Sequence, residues 1–365
     1  MLNRIATFVR LWTLVIGLSL CLQSACLGSV GAKGLDIYVI DVEGGGATLI
    51  ITPARQAVLI DGGWSTPDHR DSKRILAVLK SAGIDHLDYV IVSHYHPDHL
   101  GGIVELASQI PVTQFLDRGP MATPQPYVPP ALYAKYMEIT GKRRRAVKLG
   151  ERIRLRGRAG EPTPSLLVLA SAGKTIRATK GEINPVCSAA HAGPIDDGEN
   201  AYSVAVLLEY GSFRYLDAAD LTWSKEAQLV CPINQIGRVN VYQVDHHGKN
   251  TSNNPVLLAS IHADAAVMNN GATKGGDASV VAELKKVLAS SDIYQLHRNV
   301  KTGAAGNIAD SNIANPEPPD DGFGFLVRVD ASGKAYEIIN GRTAESHRYT
   351  SAPSGENRPS HTTIN

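Results

Sequence analysis

Three imidazoles and a carboxylate fall within six positions in Ser93-His94-Tyr95-His96-Pro97-Asp98-His99-Leu100-Gly101-Gly102. That density of nitrogen and oxygen donors is what a metal centre requires. His94 and His96 are two apart, so on an extended segment they share a face and reach one ion. Asp98 and His99, beyond the turn at Pro97, reach a second. Later stretches offer the same donor types: Asp220 in Leu216-Asp217-Ala218-Ala219-Asp220-Leu221, and His246-His247 in Asp245-His246-His247-Gly248. Two Lewis-acidic ions about 3.5–4 Å apart would share a water, lower its pKa and hold it as hydroxide, so the expected chemistry is hydrolysis without a serine or cysteine nucleophile. Mixed imidazole and carboxylate donors favour zinc, with manganese or iron as alternatives.

Each donor group follows an apolar stretch that reads as a strand. Leu87 to Val92 precedes the first, Phe213 to Leu216 precedes Asp220, and Val239 to Val244 precedes His246. Strand ends on one edge of a sheet converge, which turns separate motifs into one site. Leu35 to Val42, Ala47 to Thr52 and Gln56 to Ile60 read as a meander with glycine turns, the last ending at Asp61-Gly62-Gly63. Helical spacing marks 71–82, and a further helix is expected over 103–108. Ser203 to Tyr210 pairs with Phe213 to Leu216 as a hairpin. Ala265 to Met268, a helix over 279–290 and Ile293 to Leu296 continue a mixed α/β alternation. Gly324 to Val329 and Ala335 to Ile339 form a last hairpin.

With 365 residues, 43% of them hydrophobic, the chain can bury one large α/β domain, expected over 33–342. Its formal net charge of +1 gives no field for nucleic acid or an anionic membrane. The only basic cluster, Lys142 to Arg145, reads as a solvated face in preference to a phosphate patch. Residues 1–32 read as an export signal: Arg4 and Arg10, an apolar Leu11 to Leu22, and a small-residue cleavage site at Val30-Gly31-Ala32. The mature chain then has no membrane span and is expected in the periplasm or outside the cell. Lipid attachment at Cys26 is the less favoured alternative. Cleavage removes Cys21 and Cys26 and leaves Cys187 and Cys231, which an oxidising compartment allows to pair. The proline- and charge-rich stretch 118–185 reads as an insertion beside the site, and 343–365 as a disordered tail.

Taken together, His-x-His-x-Asp-His at 94–99, Asp41-Val42, Leu59 to Gly63, Asn200 to Ser203, Ala219 to Leu221 and His246 to Gly248 resemble the metallo-β-lactamase superfamily. Within it, they are similar to the soluble hydrolase domain of ComEC-type competence proteins and their exported relatives. The resemblance implies a four-layered αββα sandwich with the site at one edge between the sheets. It implies that Asp220 bridges two ions, that His94 and His96 hold the first, and that Asp98, His99 and one of His246 and His247 hold the second. His246 is preferred as ligand, with His247 beside the metal or facing the substrate, and Asp98 and His247 are the candidate catalytic residues. Asp61 would hydrogen-bond within the site, and Asp217 would be structural or solvated.

Asn200 stands where many members of the superfamily carry another histidine, with His191 as a possible substitute. The resemblance favours a phosphate ester or phosphodiester substrate. A lactone, thioester or β-lactam is the alternative on the same centre, and a non-catalytic envelope binding module is the alternative of another class. Electron-transfer relatives are disfavoured because no flavin-binding region is present, and the absence of channel-forming segments leaves DNA import unimplied.

Overall fold

Apolar residues on successive strand positions feed two different cores, and this alternation builds the layers. In the computed structural model, residues 34–178, 180–189, 196–317 and 321–351 are described. The expected signal segment 1–32 with Cys21 and Cys26, His191, and residues 352–365 lie outside them.

The first sheet opens as an antiparallel meander, β1 (Leu35–Val39), β2 (Thr48–Ile51) and β3 (Ala57–Ile60). Helix α1 (Arg70–Ser81) leads to β4 (Leu87–Val92), α2 (Pro97–Leu106) to β5 (Val112–Asp117), and α3 (Pro130–Thr140) to β6 (Arg144–Ala146). Strands β3 to β6 run parallel.

The second sheet begins with β7 (Arg152–Arg154), β8 (Ser165–Ser171), the short β9 (Lys174–Thr175), β10 (Ala205–Tyr210) and β11 (Phe213–Asp217). It continues through α4 (Trp223–Val230), β12 (Val241–Gln243), α5 (Pro255–Ile261), β13 (Ala265–Met268), α6 (Ala278–Val287), β14 (Ile293–His297) and β15 (Ile313–Asn315), with β11 to β15 parallel. The chain then returns to the first sheet as β16 (Phe325–Val329), β17 (Ala335–Asn340) and β18 (Ser346–Thr350). The sheet orders are β18-β17-β16-β1-β2-β3-β4-β5-β6 and β15-β14-β13-β12-β11-β10-β8-β7, with β9 paired to β8.

Ile50, Ile60 and Ile91 of the first sheet meet Val206, Tyr215, Val241 and Val267 of the second in the central core. Their neighbours Leu49, Leu59 and Val90 face outward onto Ile75, Leu79, Ile103 and Leu106 of α1 and α2. Across the molecule, Leu207, Leu216, Tyr242 and Met268 face Leu229, Leu257, Val281 and Leu284 of α4 to α6. The result is the expected αββα sandwich. Among the described residues no helix is long and apolar enough to cross a membrane.

Two expectations are corrected. Residues 118–185 are not an insertion, because they contribute β6 to the first sheet and β7, β8 and β9 to the second. The basic cluster is drawn into that structure: Arg144 pairs with Asp117, Arg145 with Glu151, and the Arg143 guanidinium lies over the Phe115 ring. Nor is the chain disordered from 343. Strand β18 pairs with β17, its Tyr349 ring stacks on Tyr336 at 4.9 Å, and its hydroxyl meets that of Tyr294 at 2.8 Å. Two aromatic contacts on one face hold a strand that is otherwise polar.

Candidate metal centre

Strand β4 ends at Val92, and the next four residues cross the edge of the first sheet before Pro97 opens α2. Proline suits that first helical position, since its missing N–H would have no intrahelical partner there. Asp98 and His99 therefore lie in the first turn of α2, directly after His94 and His96. The turn is clamped by backbone bonds: Gly46 N donates to Asp98 O at 3.0 Å and Gly62 N to His99 O at 2.8 Å. The clamp needs glycine. A Cβ on Gly102 would stand 1.9 Å from the carbonyl oxygen of Gly62, and one on Gly46 would stand 2.7 Å from His99 Nδ1. Asp220 follows β11, and His246 and His247 follow β12, so the second sheet delivers its donors to the same edge.

Two donor sets result. The ligand atoms of His94, His96 and Asp220 lie within 4.8 Å of one another, as do those of Asp98, His99, Asp220 and His247. Asp220 belongs to both. His94 Nε2 faces His96 Nδ1 at 3.1 Å, and His99 Nε2 faces His247 Nε2 at 3.2 Å. Asp98 Oδ2 is 3.2 Å from His247 Nε2, and Asp220 Oδ1 is 3.3 Å from His99 Nε2. Outside the sets, hydrogen bonds fix the rings. Asp61, buried after β3, accepts from Ser93 N at 2.7 Å and Ser93 Oγ at 2.6 Å and pairs with His99 Nδ1 at 2.7 Å. Ser93 Oγ in turn meets His94 Nδ1 at 2.9 Å. A partner on the outer nitrogen orients the inner one, as metal-binding histidines require.

The sequence reading prefers His246 as the ligand beside Asp98 and His99; the structure places His247 there. It is His247 that joins Asp98 and His99, while His246 points its Nε2 at Asp220 Oδ2, 3.4 Å away on the His94 side. The reason lies in the backbone. Both residues are left-handed, with φ of +53° and +57°, so extended-strand alternation does not govern which one enters the second set. Asn200 also reaches the site, with its Nδ2 3.4 Å from His246 Nε2.

The donor atoms fit a pair of cations. Asp220 Oδ1 and Asn200 Oδ1 are buried without a hydrogen-bond partner, which is costly unless something else satisfies them. Burial opposes charge on His99, yet the carboxylates of Asp220, Asp98 and Asp61 raise its pKa well above the usual value. Burial likewise opposes ionisation of Asp98, but His99, His247 and Lys274 hold its carboxyl well below the ordinary range. Burial pushes His94 well down and His246 to about 4, leaving neutral rings with lone pairs to give. Three carboxylates thus call positive charge to this buried cluster. A third group, Asp41, Glu43 and His297, is different: Arg74 pairs with Asp41 at 2.7 Å, so the cluster is a bridge from β1 to β14.

Three residues at the mouth gave no signal in the sequence. The Lys274 ammonium pairs with Asp98 Oδ2, donates to Gly44 O at 2.5 Å and sits 4.8 Å from the Trp64 ring centre. Tyr127 stands with its ring centre 6.4 Å from that of His96. They come from three separate loops, each without a recognisable motif.

Asp217 is structural and buried. It accepts from Gln243 Nε2 at 3.2 Å, and burial, reinforced by the Asp61 charge, raises its pKa to about 7. A raised folded pKa means stability is complete below the unfolded value and is lost as pH rises through the folded one. In chelated protein, the stability of Asp217→Asn relative to wild type is therefore expected to improve by about 2–4 kcal/mol between pH 4 and pH 8. Denaturant melts at the two pH values check this, and a pH-independent difference would refute it.

Residues 41–172 match the family model of the metallo-beta-lactamase superfamily. No curated protein matches the chain. Among solved structures, a mutant of the CmlA beta-hydroxylase is 14% identical with a TM-score of 0.43, covering 72% of this chain and 52% of its own. The chain thus spans about half the length of that protein. A putative metal-dependent hydrolase from Parabacteroides distasonis is 13% identical with a TM-score of 0.38, covering 72% of this chain and 92% of its own. The Rm3 metallo-beta-lactamase is 16% identical with a TM-score of 0.35, covering 58% and 75% respectively.

Proposed function

We propose that this chain is an exported hydrolase that uses two divalent metal ions, by preference zinc, to cleave a phosphate ester or phosphodiester. In this reading His94, His96 and Asp220 hold one ion, with His246 and Asn200 beside them. Asp98, His99, Asp220 and His247 hold the other. The observation that carries it is the sharing of Asp220 between two donor sets whose ring nitrogens face one another at 3.1 and 3.2 Å.

When bound, the ions would supply Lewis acidity to the ester oxygen and an acidified water. The chain's own groups do the positioning. Asp61 fixes the tautomer of His99 by accepting a 2.7 Å hydrogen bond from its Nδ1–H, and Ser93 joins Asp61 to His94. In the net reaction water gives its hydroxyl to phosphorus, the bond to the leaving oxygen breaks, and the second water proton ends on that oxygen. An anionic substrate is supported by Lys274, a partly exposed cation beside a site that would hold two more. Export is supported by the N-terminal pattern and by the disulfide between Cys187 and Cys231, which fits an oxidising compartment.

The test is metal content per chain after purification without chelator, with turnover of bis(p-nitrophenyl) phosphate measured beside a lactone and a β-lactam. Two equivalents with phosphodiester turnover support the reading. Efficient ring opening without phosphodiester cleavage would move the substrate to the lactone or β-lactam class, and failure to bind metal would favour a binding module.

A further inference from the structure

Two features flank the donor sets on opposite sides, and neither supplies a ligand atom. On the His94 and His96 side, Tyr127 is 86% exposed and held with φ of +62°. A bulky side chain in the left-handed region is strained, and such strain gathers where a residue must be presented to a ligand. The backbone beneath it is anchored. The next residue, Val128, is buried in the core beneath, and Met121 N, six positions earlier, donates to Tyr133 OH at 3.1 Å. An exposed aromatic ring thus stands on an anchored backbone beside an imidazole of the site. On the Asp98 and His247 side, the Lys274 ammonium is one-quarter exposed, resting on the Trp64 face and the Asp98 carboxylate.

We infer that these two ends read the substrate: Tyr127 stacks an aromatic or heteroaromatic ring, and Lys274 contacts the anionic group, so the preferred class is aryl or nucleoside phosphoesters over alkyl ones. This rests on the phosphoester reading and adds a direction to it. The ring lies toward the His94 and His96 set and the charge toward the Asp98 and His247 set. Stacking on an exposed aromatic is tolerant of ring identity, whereas an ammonium recognises charge with little regard to shape.

Calorimetric binding of phenylphosphonate and methylphosphonate to the zinc-supplemented full chain tests the inference without requiring turnover. Wild type is expected to bind phenylphosphonate about tenfold more tightly than methylphosphonate. Tyr127→Ala should erase that preference, Tyr127→Phe should keep it, and Lys274→Met should weaken both ligands by a similar factor. Equal binding of the two ligands by wild type, or a preference that survives Tyr127→Ala, overturns the inference and leaves the phosphoester reading standing. Binding of neither ligand overturns both.

Discussion

Asp220→Ala is expected to bind less than one metal ion per chain and to lose roughly a thousandfold or more of the hydrolytic rate, while melting close to wild type when both are compared after chelation. Asp220 is the one side chain shared by both donor sets, so its removal weakens each. Its Oδ1 makes no hydrogen bond, and His99 keeps Asp61 and Asp98 as partners, so little of the fold depends on it. His96→Ala should be milder in stoichiometry, losing one ion, because Asp98, His99 and His247 are untouched. Elemental analysis of the purified proteins and thermal melts of the same proteins after chelation check both variants. An Asp220→Ala protein that retains two ions or wild-type turnover would sink the proposed site.

The second large effect is on stability. Glu199 is buried, accepts from Tyr95 N at 2.9 Å, and takes both arms of the Arg118 guanidinium at 2.8 and 2.6 Å. Arg118 is itself buried between the Tyr95 and Tyr202 rings, at 4.4 and 5.0 Å from their centres. Glu199→Ala strands that cation, and breaking a buried pair in this way costs about 3–5 kcal/mol. Activity should fall as well, because Tyr95 lies between His94 and His96 and Asn200 follows Glu199. The double variant Glu199→Leu with Arg118→Met should recover much of the stability, since neither charge is then left alone. If Glu199→Ala alone unfolds at the wild-type denaturant midpoint, the pair does not hold this edge.

What could be read in advance depended on how local the signal was. His94 to His99 declare themselves because four donors crowd one strand end, and the short apolar runs through Leu49-Ile50 and Leu59-Ile60, bounded by glycine turns, mark buried strands. The choice between His246 and His247 was not legible, because consecutive left-handed residues obey no strand period. Strands β6 and β7 escaped notice because three-residue edge strands written Arg-Arg-Ala and Arg-Ile-Arg look like charged loop. Charge suits such positions, since it discourages pairing with another chain. Glu199 and Arg118 are 81 positions apart, and Lys274 meets Asp98 across 176. Contacts at that range leave no trace in the spacing of either partner.

Strand β1 lies between β2, its immediate successor, and β16, which the ribosome makes almost 300 residues later. Every proposed metal ligand has been synthesised by residue 247, yet the sheet that carries four of the six still has an open edge at that moment. The order of synthesis and the order of assembly therefore differ. The nascent chain cannot seal β1 until its C-terminal strands emerge, so closure is a late, long-range event of the kind that slows folding. A chain cut short before β16 would present a bare, apolar β1 edge to its neighbours and would be a candidate for aggregation, however complete its ligand set.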